Sequence, residues 1–303
     1  METNDNAFYL EEVNNLAKSD KNLLIKMSEE MYHEQIIDMV DLALEKHSVR
    51  IFLLAGPSSS GKTTTSLLLK KELKRRNKKC ITVSLDDFFL DRDQTPLLPN
   101  GNYDYENITA IDLKLFNEFI SDLFEKHIGY MPTYNFIEGR KNKEKTPIEC
   151  DDDTYIIIEG LHALNPMLLD QPQEKLFKIY ICVLSNFCFD DKLLLNYTDL
   201  RLMRRCIRDY YTRGRTIDET ISGWQEVRDG EELYIDPFKN TVDYKVDSTH
   251  MYEPLVYAFD LKDKLEKSTL PKAKELANIL SKCGTLNKNL IPKDSLLNEF
   301  IQQ

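Results

Sequence analysis

The sequence of 303 residues predicts an α/β fold, a three-layer sandwich with a mainly parallel sheet at its centre. Three observations lead to this prediction. Short apolar runs typical of buried strands recur between segments with helical periodicity. The first of these runs passes through a glycine-rich turn directly into a helix, and two later runs end in carboxylates. Ligands bind beyond the carboxyl ends of strands in such sheets, so these ends are the expected functional edge.

The glycine-rich turn, GPSSSGKT at 56–63, fits the Walker A pattern of P-loop NTPases. The apolar run Ile51–Ala55 precedes it, and leucines at helical spacing follow it. Its glycines allow backbone N–H groups to surround phosphate at the positive end of a helix. Lys62 is expected to reach the β- and γ-phosphates, and the Thr63 hydroxyl to bind Mg²⁺. A chance glycine turn is the alternative, which the flanking strand and helix disfavour. The predicted nucleotide contacts here are Gly56, Pro57, Ser58, Ser59, Ser60, Gly61, Lys62, Thr63 and Thr64.

Composition excludes several classes of protein. The net charge of −11 argues against nucleic-acid and anionic-membrane partners, because both require a basic face. No apolar run approaches the roughly 20 residues of a membrane span, and residues 1–6 are too acidic and polar for a secretion signal. The six cysteines and five histidines are scattered, so reduced thiols in the cytoplasm are expected rather than a zinc site or disulfides.

Three regions are predicted along the chain. Residues 1–49 form a helical extension, since Ile36, Val40 and Leu44 recur every four residues. Residues 50–252 form the phosphate-loop domain, with further strands expected over 178–183 and 241–248. Residues 253–303 form a helical tail packed on the core, with a helix start at Pro271 and a short apolar stripe near the end.

The region 91–151 is predicted to be an insertion over the phosphate site that binds a phosphoryl acceptor. Its first part is rich in Asp, Asn, Pro and Gly, and a helix is expected over 113–124. The candidate acceptor contacts within it are Asp104, Tyr134 and Arg140. Taken singly, each of these is more often an ordinary surface or core residue.

Carboxylates end two of the predicted strands. The strand over 80–85 leads into Asp86 and Asp87, which could accept a proton from a substrate hydroxyl or hold water on a metal. One or both could instead cap the following turn, and one cap plus one catalytic residue is the expected division. The run Tyr155–Glu159 matches the Walker B pattern, in which a terminal acid holds Mg²⁺ directly or through water.

The stretch 201–215 carries six arginines and one acid, Asp209, in a protein that is acidic overall. Arg201, Arg205 and Arg208 share a helix face at i, i+4 and i+7. Clustered guanidinium groups repel one another unless an anion lies among them, and polyphosphate is the expected anion. The pattern predicts an arginine lid over the transferring phosphoryl group. A solvated basic helix that pairs with surface acids is the alternative.

Together, these motifs resemble the uridine kinase and phosphoribulokinase family of P-loop kinases over about residues 50–250. The resemblance rests on GPSSSGKT at 56–63, DDFF at 86–89, NYD at 102–104, PTYNF at 132–136, IEG at 158–160, RLMRRCIRD at 201–209 and RGR at 213–215. It implies that Asp86 is the catalytic base and that Glu159 is the magnesium-associated acid. The other implied contacts are Asp104 with ribose hydroxyls, Tyr134 with the nucleoside, Arg205 and Arg215 with the substrate, Arg208 and Arg213 with the nucleotide, and Asp243 near its base.

The resemblance implies a kinase that uses ATP and Mg²⁺ to phosphorylate a small-molecule hydroxyl, with the 5′-hydroxyl of uridine or cytidine favoured. The histidine that uridine kinases carry soon after the tyrosine of the Tyr-Asp-Phe step is missing after Tyr134, so another sugar or small alcohol stays open. Residues 224–231 look more like a bacterial uridine kinase-like branch. A regulatory P-loop protein is disfavoured by the insertion and the lid. A degenerate kinase is disfavoured because Lys62, Asp86 and Glu159 are all present. The choice between ATP and GTP and homo-oligomer formation stay open.

Overall fold

The computed structural model describes residues 7–98 and 101–301. Residues 1–6, 99, 100, 302 and 303, which belong to the predicted extension, insertion and tail, lie outside the described residues. In chain order the strands are β1 (Ala7–Tyr9), β2 (Ile51–Ala55), β3 (Cys80–Ser84), β4 (Ile128–Met131), β5 (Tyr134–Asn135), β6 (Arg140–Lys141), β7 (Thr146–Glu149), β8 (Tyr155–Glu159), β9 (Leu176–Cys182), β10 (Asn186–Phe189), β11 (Lys192–Leu195) and β12 (Tyr244–Asp247). The helices are α1 (Leu10–Glu45), α2 (Lys62–Arg75), α3 (Leu113–Lys126), α4 (Tyr197–Thr212), α5 (Ile217–Ser222), α6 (Trp224–Tyr234), α7 (Glu253–Asp260), α8 (Lys262–Glu266) and α9 (Pro271–Leu280).

A parallel sheet of five strands, in the order β12-β9-β2-β8-β3, forms the centre. Strand β2 lies in the middle and all five of its residues are buried, as expected for a parallel strand covered on both faces. The register places Glu159 beside both Leu54 and Ser84. The carboxyl ends of β2, β8 and β3 therefore meet at one edge, where the loop 56–61 and Asp86 leave the sheet. This arrangement confirms the predicted α/β fold.

Side chains that alternate along β2 divide the core into two layers. Phe52 and Leu54 face a cluster formed mainly with α1, α2, α4, α7 and α9. Ile51 and Leu53 face a second cluster, formed with α3 and the segment 161–169. Helices therefore cover both faces of the sheet, which is the predicted three-layer sandwich.

Helix α1 and the C-terminal tail pack directly on the domain that carries the phosphate loop. Met39 and Val40 of α1 are fully buried in the cluster that also contains Phe52. The Tyr32 hydroxyl forms a 2.6 Å hydrogen bond with Oγ1 of Thr65, in the second turn of α2. The same cluster contains the apolar tail residues Leu296, Leu297, Phe300 and Ile301. Among the residues that the structure describes, no helix is long and apolar enough to cross a membrane.

Several small elements were not predicted from the sequence. Strand β1 pairs in parallel with β10, which pairs in turn with β11. Within the insertion, β4 pairs with β7 and the two-residue strands β5 and β6 pair with each other. Each of these strands has two to four residues, too few to show a period, and β1 finds its partner far away along the chain. Helices α5 and α6 also follow the arginine-rich segment without having been predicted.

We expect Met39→Ala to lower the free energy of unfolding by about 2–5 kcal/mol, because it removes a fully buried side chain. The matched control is Leu42→Ala on the same helix, where the leucine is 37% exposed; its effect should stay within about 0.5 kcal/mol. Urea unfolding of both variants measures the difference. Equal effects would contradict the role of α1 in the core.

Candidate active site

The loop between β2 and α2 requires small residues and leaves polar groups unpaired. A Cβ atom at Gly56 would collide with the Ile181 carbonyl oxygen, and Gly61 has φ +96°, where side chains are strained. The hydroxyls of Ser59 and Ser60 are buried and have no hydrogen-bond partner within the described part of the chain. Buried hydroxyls normally find an acceptor, and an anion held in the loop would supply one. The loop therefore has the shape and the free donors of a phosphate cradle.

Two fully buried arginines of α4 support this loop from beneath. Arg201 forms an ion pair with Glu231 of α6 and donates to the Ser58 carbonyl at 3.1 and 3.2 Å. Arg204 pairs with Glu253 of α7 through contacts of 2.5 and 2.8 Å. It also approaches the carbonyls of Ser59 and Ser60 at 3.4 and 3.5 Å.

These contacts change one part of the lid prediction. We expected Arg201 to share the lid face with Arg205 and Arg208, but its guanidinium group points inward to Glu231. Positions 201 and 204 are three residues apart on α4, so both lie on the face that packs under the loop. Arg201 and Arg204 therefore position the loop from below.

The arginines on the outer side of α4 converge on one carboxylate. Arg205 donates to Ser58 Oγ at 2.7 Å and lies 3.5 Å from the buried Asp209. Arg208 and Arg213 contact the same carboxylate at 2.9 and 3.5 Å. Burial lowers the pKa of Arg205; Asp209 partly opposes this, and Arg208 lowers the pKa further. Asp209 is one carboxylate for three guanidinium groups, and Glu106 and Asp86 also lie within electrostatic reach of Arg205 and Arg213 respectively. Arg215 is exposed and donates its backbone N–H to the Asp209 carbonyl at 3.1 Å.

Lys62 begins α2 and lies within electrostatic reach of three carboxylates. Its ammonium donates to the carbonyls of Gly56 and Pro57 at 2.9 and 3.1 Å. Asp86 is open to solvent but lies between protein walls, which raise the pKa of its carboxyl; Lys62 and Arg213 lower it. Burial likewise raises the pKa of Glu159, and Ser84 Oγ, at 2.6 Å, and Lys62 oppose this.

Glu106, the third carboxylate near Lys62, was missed in the sequence analysis. Burial raises the pKa of its carboxyl, the charge of Glu231 raises it further, and Lys62 lowers it. Glu106 stands in an irregular polar stretch of the insertion, where no periodicity or motif distinguishes it. Only the folded chain brings it to the loop.

Asp87, the neighbour of Asp86, anchors the insertion. It is half-buried and accepts a hydrogen bond from the backbone N–H of Tyr134 at 3.3 Å. Asp86 is exposed, while its neighbour holds a segment of the insertion in place. The geometry agrees with the expected division between one structural and one catalytic carboxylate, which stays a prediction.

The insertion presents an aromatic cluster beside Asp87. We use this term for Phe89, Tyr103, Tyr105, Tyr134 and Phe136, whose linked ring centroids lie 5.0–6.3 Å apart. Tyr134 is buried, but Phe136 is 60% exposed and the two other tyrosines are partly open. A cluster of rings with open faces next to carboxylates can stack a flat, polar ligand.

Asp104 and Arg140 occupy different parts of the insertion. Asp104 is buried and accepts from the Tyr234 hydroxyl at 3.2 Å and from Asn107 Nδ2 at 3.4 Å. Its position makes it a candidate for binding hydroxyl groups. Arg140 is exposed on β6 and forms an ion pair of 3.2 Å with Glu138.

His162 is a second residue that the sequence analysis missed. It is buried against Tyr234, with ring centroids 6.1 Å apart. Burial lowers the pKa of His162 to about 4, and the Glu106 backbone and the Asp104 charge only partly oppose this. Neither ring nitrogen has a hydrogen-bond partner of normal geometry in the described residues. A neutral imidazole therefore lies behind the Asp104 region, although no histidine follows the Tyr134 motif.

Asp243 does not lie at this edge of the sheet, which corrects the predicted contact with the nucleotide base. It precedes β12 and bonds to the Lys178 N–H at 2.8 Å and to Lys46 at 2.6 Å. Since β12 runs parallel to β9, its first residues lie at the amino edge of the sheet, opposite the phosphate loop. We therefore do not retain Asp243 as a nucleotide contact.

The carboxylates near Lys62 suit a magnesium ion that arrives with phosphate. Within residues 7–98 and 101–301, no group of three or more His, Cys, Asp or Glu side chains is arranged to hold a metal by itself. Mg²⁺ in phosphoryl-transfer sites is usually held by one or two carboxylates, water and the phosphates. The Thr63 hydroxyl, which is exposed at the start of α2, and the carboxylates Asp86 and Glu159 fit that donor set.

The sequence was compared with known protein families and with individual proteins. The profile of the Phosphoribulokinase / Uridine kinase family matches residues 51–252, two thirds of the chain. The chain belongs to this family. A uridine kinase of Mycoplasma genitalium is 29% identical over 191 residues, which cover 63% of this chain and 81% of that protein. A uridine kinase of Staphylococcus haemolyticus is 27% identical over 191 residues, covering 63% of this chain and 83% of its own.

Among solved structures, D-glycerate 3-kinase from Cryptococcus neoformans gives a TM-score of 0.46 at 15% identity, covering 71% of this chain and 92% of that one. Membership of the family makes the protein a phosphotransferase that acts on a hydroxyl. The matched segment contains the phosphate loop, Asp86, Glu159 and the arginines of α4. All of α1 lies outside it, and so does the chain from the first residue of α7 onward.

We expect Glu253→Gln to lower the free energy of unfolding by about 3–5 kcal/mol, because it leaves the buried Arg204 charge without its counterion. Glu275→Gln is the control, since this glutamate is exposed and, in the described part of the chain, pairs only with Lys272; its effect should stay below about 1 kcal/mol. Chemical denaturation measures both. Stability close to wild type in Glu253→Gln would show that the buried pair does not hold the loop.

Proposed function

We propose that the protein transfers the γ-phosphoryl group of ATP, with Mg²⁺, to the 5′-hydroxyl of a pyrimidine nucleoside, uridine or cytidine. The choice of acceptor rests on the aromatic cluster, which lies beside the carboxylates that follow β3, Asp86 and Asp87. A sugar alone offers no flat face, whereas a base can stack on an open ring for about 1–3 kcal/mol. Phe136 is the most exposed ring of the cluster and the best placed to supply that surface.

The acceptor side of the site would bind ribose as well as base. Asp104 already accepts hydrogen bonds from Tyr234 and Asn107, and a carboxylate oxygen can accept more than one. Ribose hydroxyls supply such donors. Tyr134 would support the base through the aromatic cluster, while Arg140 and Arg215 are exposed and would reach the substrate only as the insertion and lid close. Membership of the family and the two uridine kinase relatives support this acceptor class.

The donor side would hold the triphosphate in the loop 56–61 and on the first turn of α2. Lys62 would exchange its carbonyl contacts for phosphate oxygens, and the free hydroxyls of Ser59 and Ser60 would gain acceptors. Thr63, Asp86 and Glu159 would hold Mg²⁺, which supplies positive charge to the β- and γ-phosphate oxygens. Arg205, Arg208 and Arg213 would add the charge that Asp209 leaves unbalanced.

The transfer itself needs one proton acceptor. The nucleoside 5′-oxygen forms a bond to the γ-phosphorus while the bond from that phosphorus to the β–γ bridging oxygen breaks, and ADP departs. The hydroxyl proton passes to a carboxylate oxygen of Asp86. Burial raises the pKa of Asp86, which improves this carboxylate as a base, while the charges of Lys62 and Arg213 oppose the rise.

The test is ADP release from Mg²⁺-ATP with uridine, cytidine, adenosine, ribose, ribulose 5-phosphate, pantothenate or no acceptor. We expect uridine or cytidine to stimulate release and the non-nucleosides to have no effect. Stimulation by a sugar phosphate or by pantothenate alone would retain the phosphoryl transfer and replace the acceptor. Release that no small molecule stimulates would count against a kinase of small acceptors.

Phe136→Ala should raise the KM for the stimulating nucleoside about tenfold or more and leave the KM for ATP unchanged, because a stacking face is lost. Ile137→Ala is the matched control: this neighbour is 92% exposed and carries no ring. Steady-state kinetics compare the two variants. Equal KM values for the nucleoside would mean that the aromatic cluster does not bind the base.

Asp86→Asn should lower kcat by about 100-fold or more, since the general base is lost, and should lower the affinity for Mg²⁺-ATP far less, since Thr63 and Glu159 remain to hold the metal. Asp87→Asn is nearly isosteric and can still accept the Tyr134 N–H, so we expect less than about a tenfold loss. Turnover and nucleotide binding are measured on both variants. A larger loss in Asp87→Asn would reverse the assigned roles.

A further inference from the structure

A carboxylate of the C-terminal tail occupies the start of the phosphate-loop helix. Glu299 Oε2 accepts from the backbone N–H of Thr64 at 3.2 Å and from its hydroxyl Oγ1 at 3.1 Å. Both donors belong to the first turn of α2, where N–H groups and the helix dipole favour an anion. The same two groups are among the nucleotide contacts that the Walker A pattern predicts.

The tail around Glu299 fits closely against the loop. A Cβ at Gly61 would collide with the Leu296 side chain, so the tail touches the loop itself. The Phe300 ring lies 5.0 Å from the guanidinium carbon of Arg204, which supports the loop from beneath. Leu296 and Phe300 are almost fully buried, whereas Glu299 is only partly buried. The backbone of the tail is thus fixed, and the glutamate side chain has room to move.

The charges near the loop favour such a resident anion. Lys62 and the arginine group around Asp209 bring four cationic side chains close to the loop. The Glu299 carboxylate is close enough to raise the pKa of Glu159 through repulsion between like charges. A nucleotide phosphate in contact with Thr64 would meet this negative charge at hydrogen-bond distance.

We propose that Glu299 competes with a nucleotide phosphate for the amide and hydroxyl of Thr64 and thereby sets the affinity for nucleotide. This inference rests on the proposed nucleotide site. For a nucleotide phosphate to occupy the whole loop, the Glu299 carboxylate must first move away from Thr64, while the apolar residues of the tail stay in place. Glu299 therefore stabilises the protein without nucleotide and lowers its affinity for Mg²⁺-nucleotide.

The experiment is calorimetric titration of Mg²⁺-ADP, without acceptor, into the full chain and four variants. Glu299→Gln removes the charge and Glu299→Ala removes the contact. Asp294→Asn is the matched control, because it removes one negative charge from the same segment at an exposed position, where Asp294 forms an ion pair with Lys71. Lys62→Ala tests the nucleotide site itself. Thermal melting without nucleotide accompanies each titration and shows whether every variant is folded.

We expect both Glu299 variants to bind Mg²⁺-ADP about tenfold tighter, because a competing charge-assisted hydrogen bond to Thr64 is lost. Asp294→Asn should bind as the wild type does, and Lys62→Ala more weakly. Wild-type or weaker binding in both Glu299 variants, with binding weakened in Lys62→Ala, would overturn this inference and leave the proposed nucleotide site intact. Failure of all forms to bind Mg²⁺-ADP would overturn the inference and the nucleotide site together.

Discussion

The buried pairing of Arg201 with Glu231 and of Arg204 with Glu253 is the constraint on which the site depends. A guanidinium group without its counterion is very costly in the protein interior, so each arginine must remain where its glutamate lies. Arg201 also donates to the Ser58 carbonyl of the loop, while Arg204 donates to Ser248 and approaches the carbonyls of Ser59 and Ser60. The loop is thus held by charges that cannot move independently. The two glutamates come from α6 and α7. The shape of the loop therefore depends on how these two helices, which follow the lid in the chain, pack against α4.

Rigidity on this donor side contrasts with the acceptor side. The loop, Lys62, Asp86 and Glu159 follow or end strands β2, β3 and β8 of the parallel sheet, where backbone pairing and two apolar clusters leave little freedom. The insertion is joined by strands of two to four residues and exposes its aromatic rings. Loops positioned by a rigid scaffold are where binding specificity varies most readily. This division explains how one fold can retain the same phosphoryl transfer while its acceptors differ.

The sequence predicted the parts of the molecule that local patterns control. Buried strands such as Ile51–Ala55 and Tyr155–Glu159 are continuous apolar runs, and the loop between β2 and α2 is a compact motif. It could not predict contacts between distant segments, such as β1 with β10 or Glu231 with Arg201, because local hydrophobic periodicity carries no information about such contacts. For the same reason Glu106 and His162 looked like ordinary residues. Asp243 was assigned to the wrong edge of the sheet. The resemblance identifies the last strand, but it does not determine at which end of that strand a given residue lies. Glu299 was missed because the tail pattern showed only its apolar stripe.

The tail shows how stability and ligand affinity can oppose each other in one contact. An anion site without its ligand holds positive charges and unpaired N–H groups, which destabilise the folded chain. A carboxylate from the same chain relieves that cost, and whatever it contributes to the free protein is subtracted from the binding of an external phosphate. Because the tail backbone is fixed by buried apolar residues, this balance depends on the freedom of one side chain. The tail therefore acts on the loop through the charge of Glu299 as well as through the packing of Leu296 against Gly61.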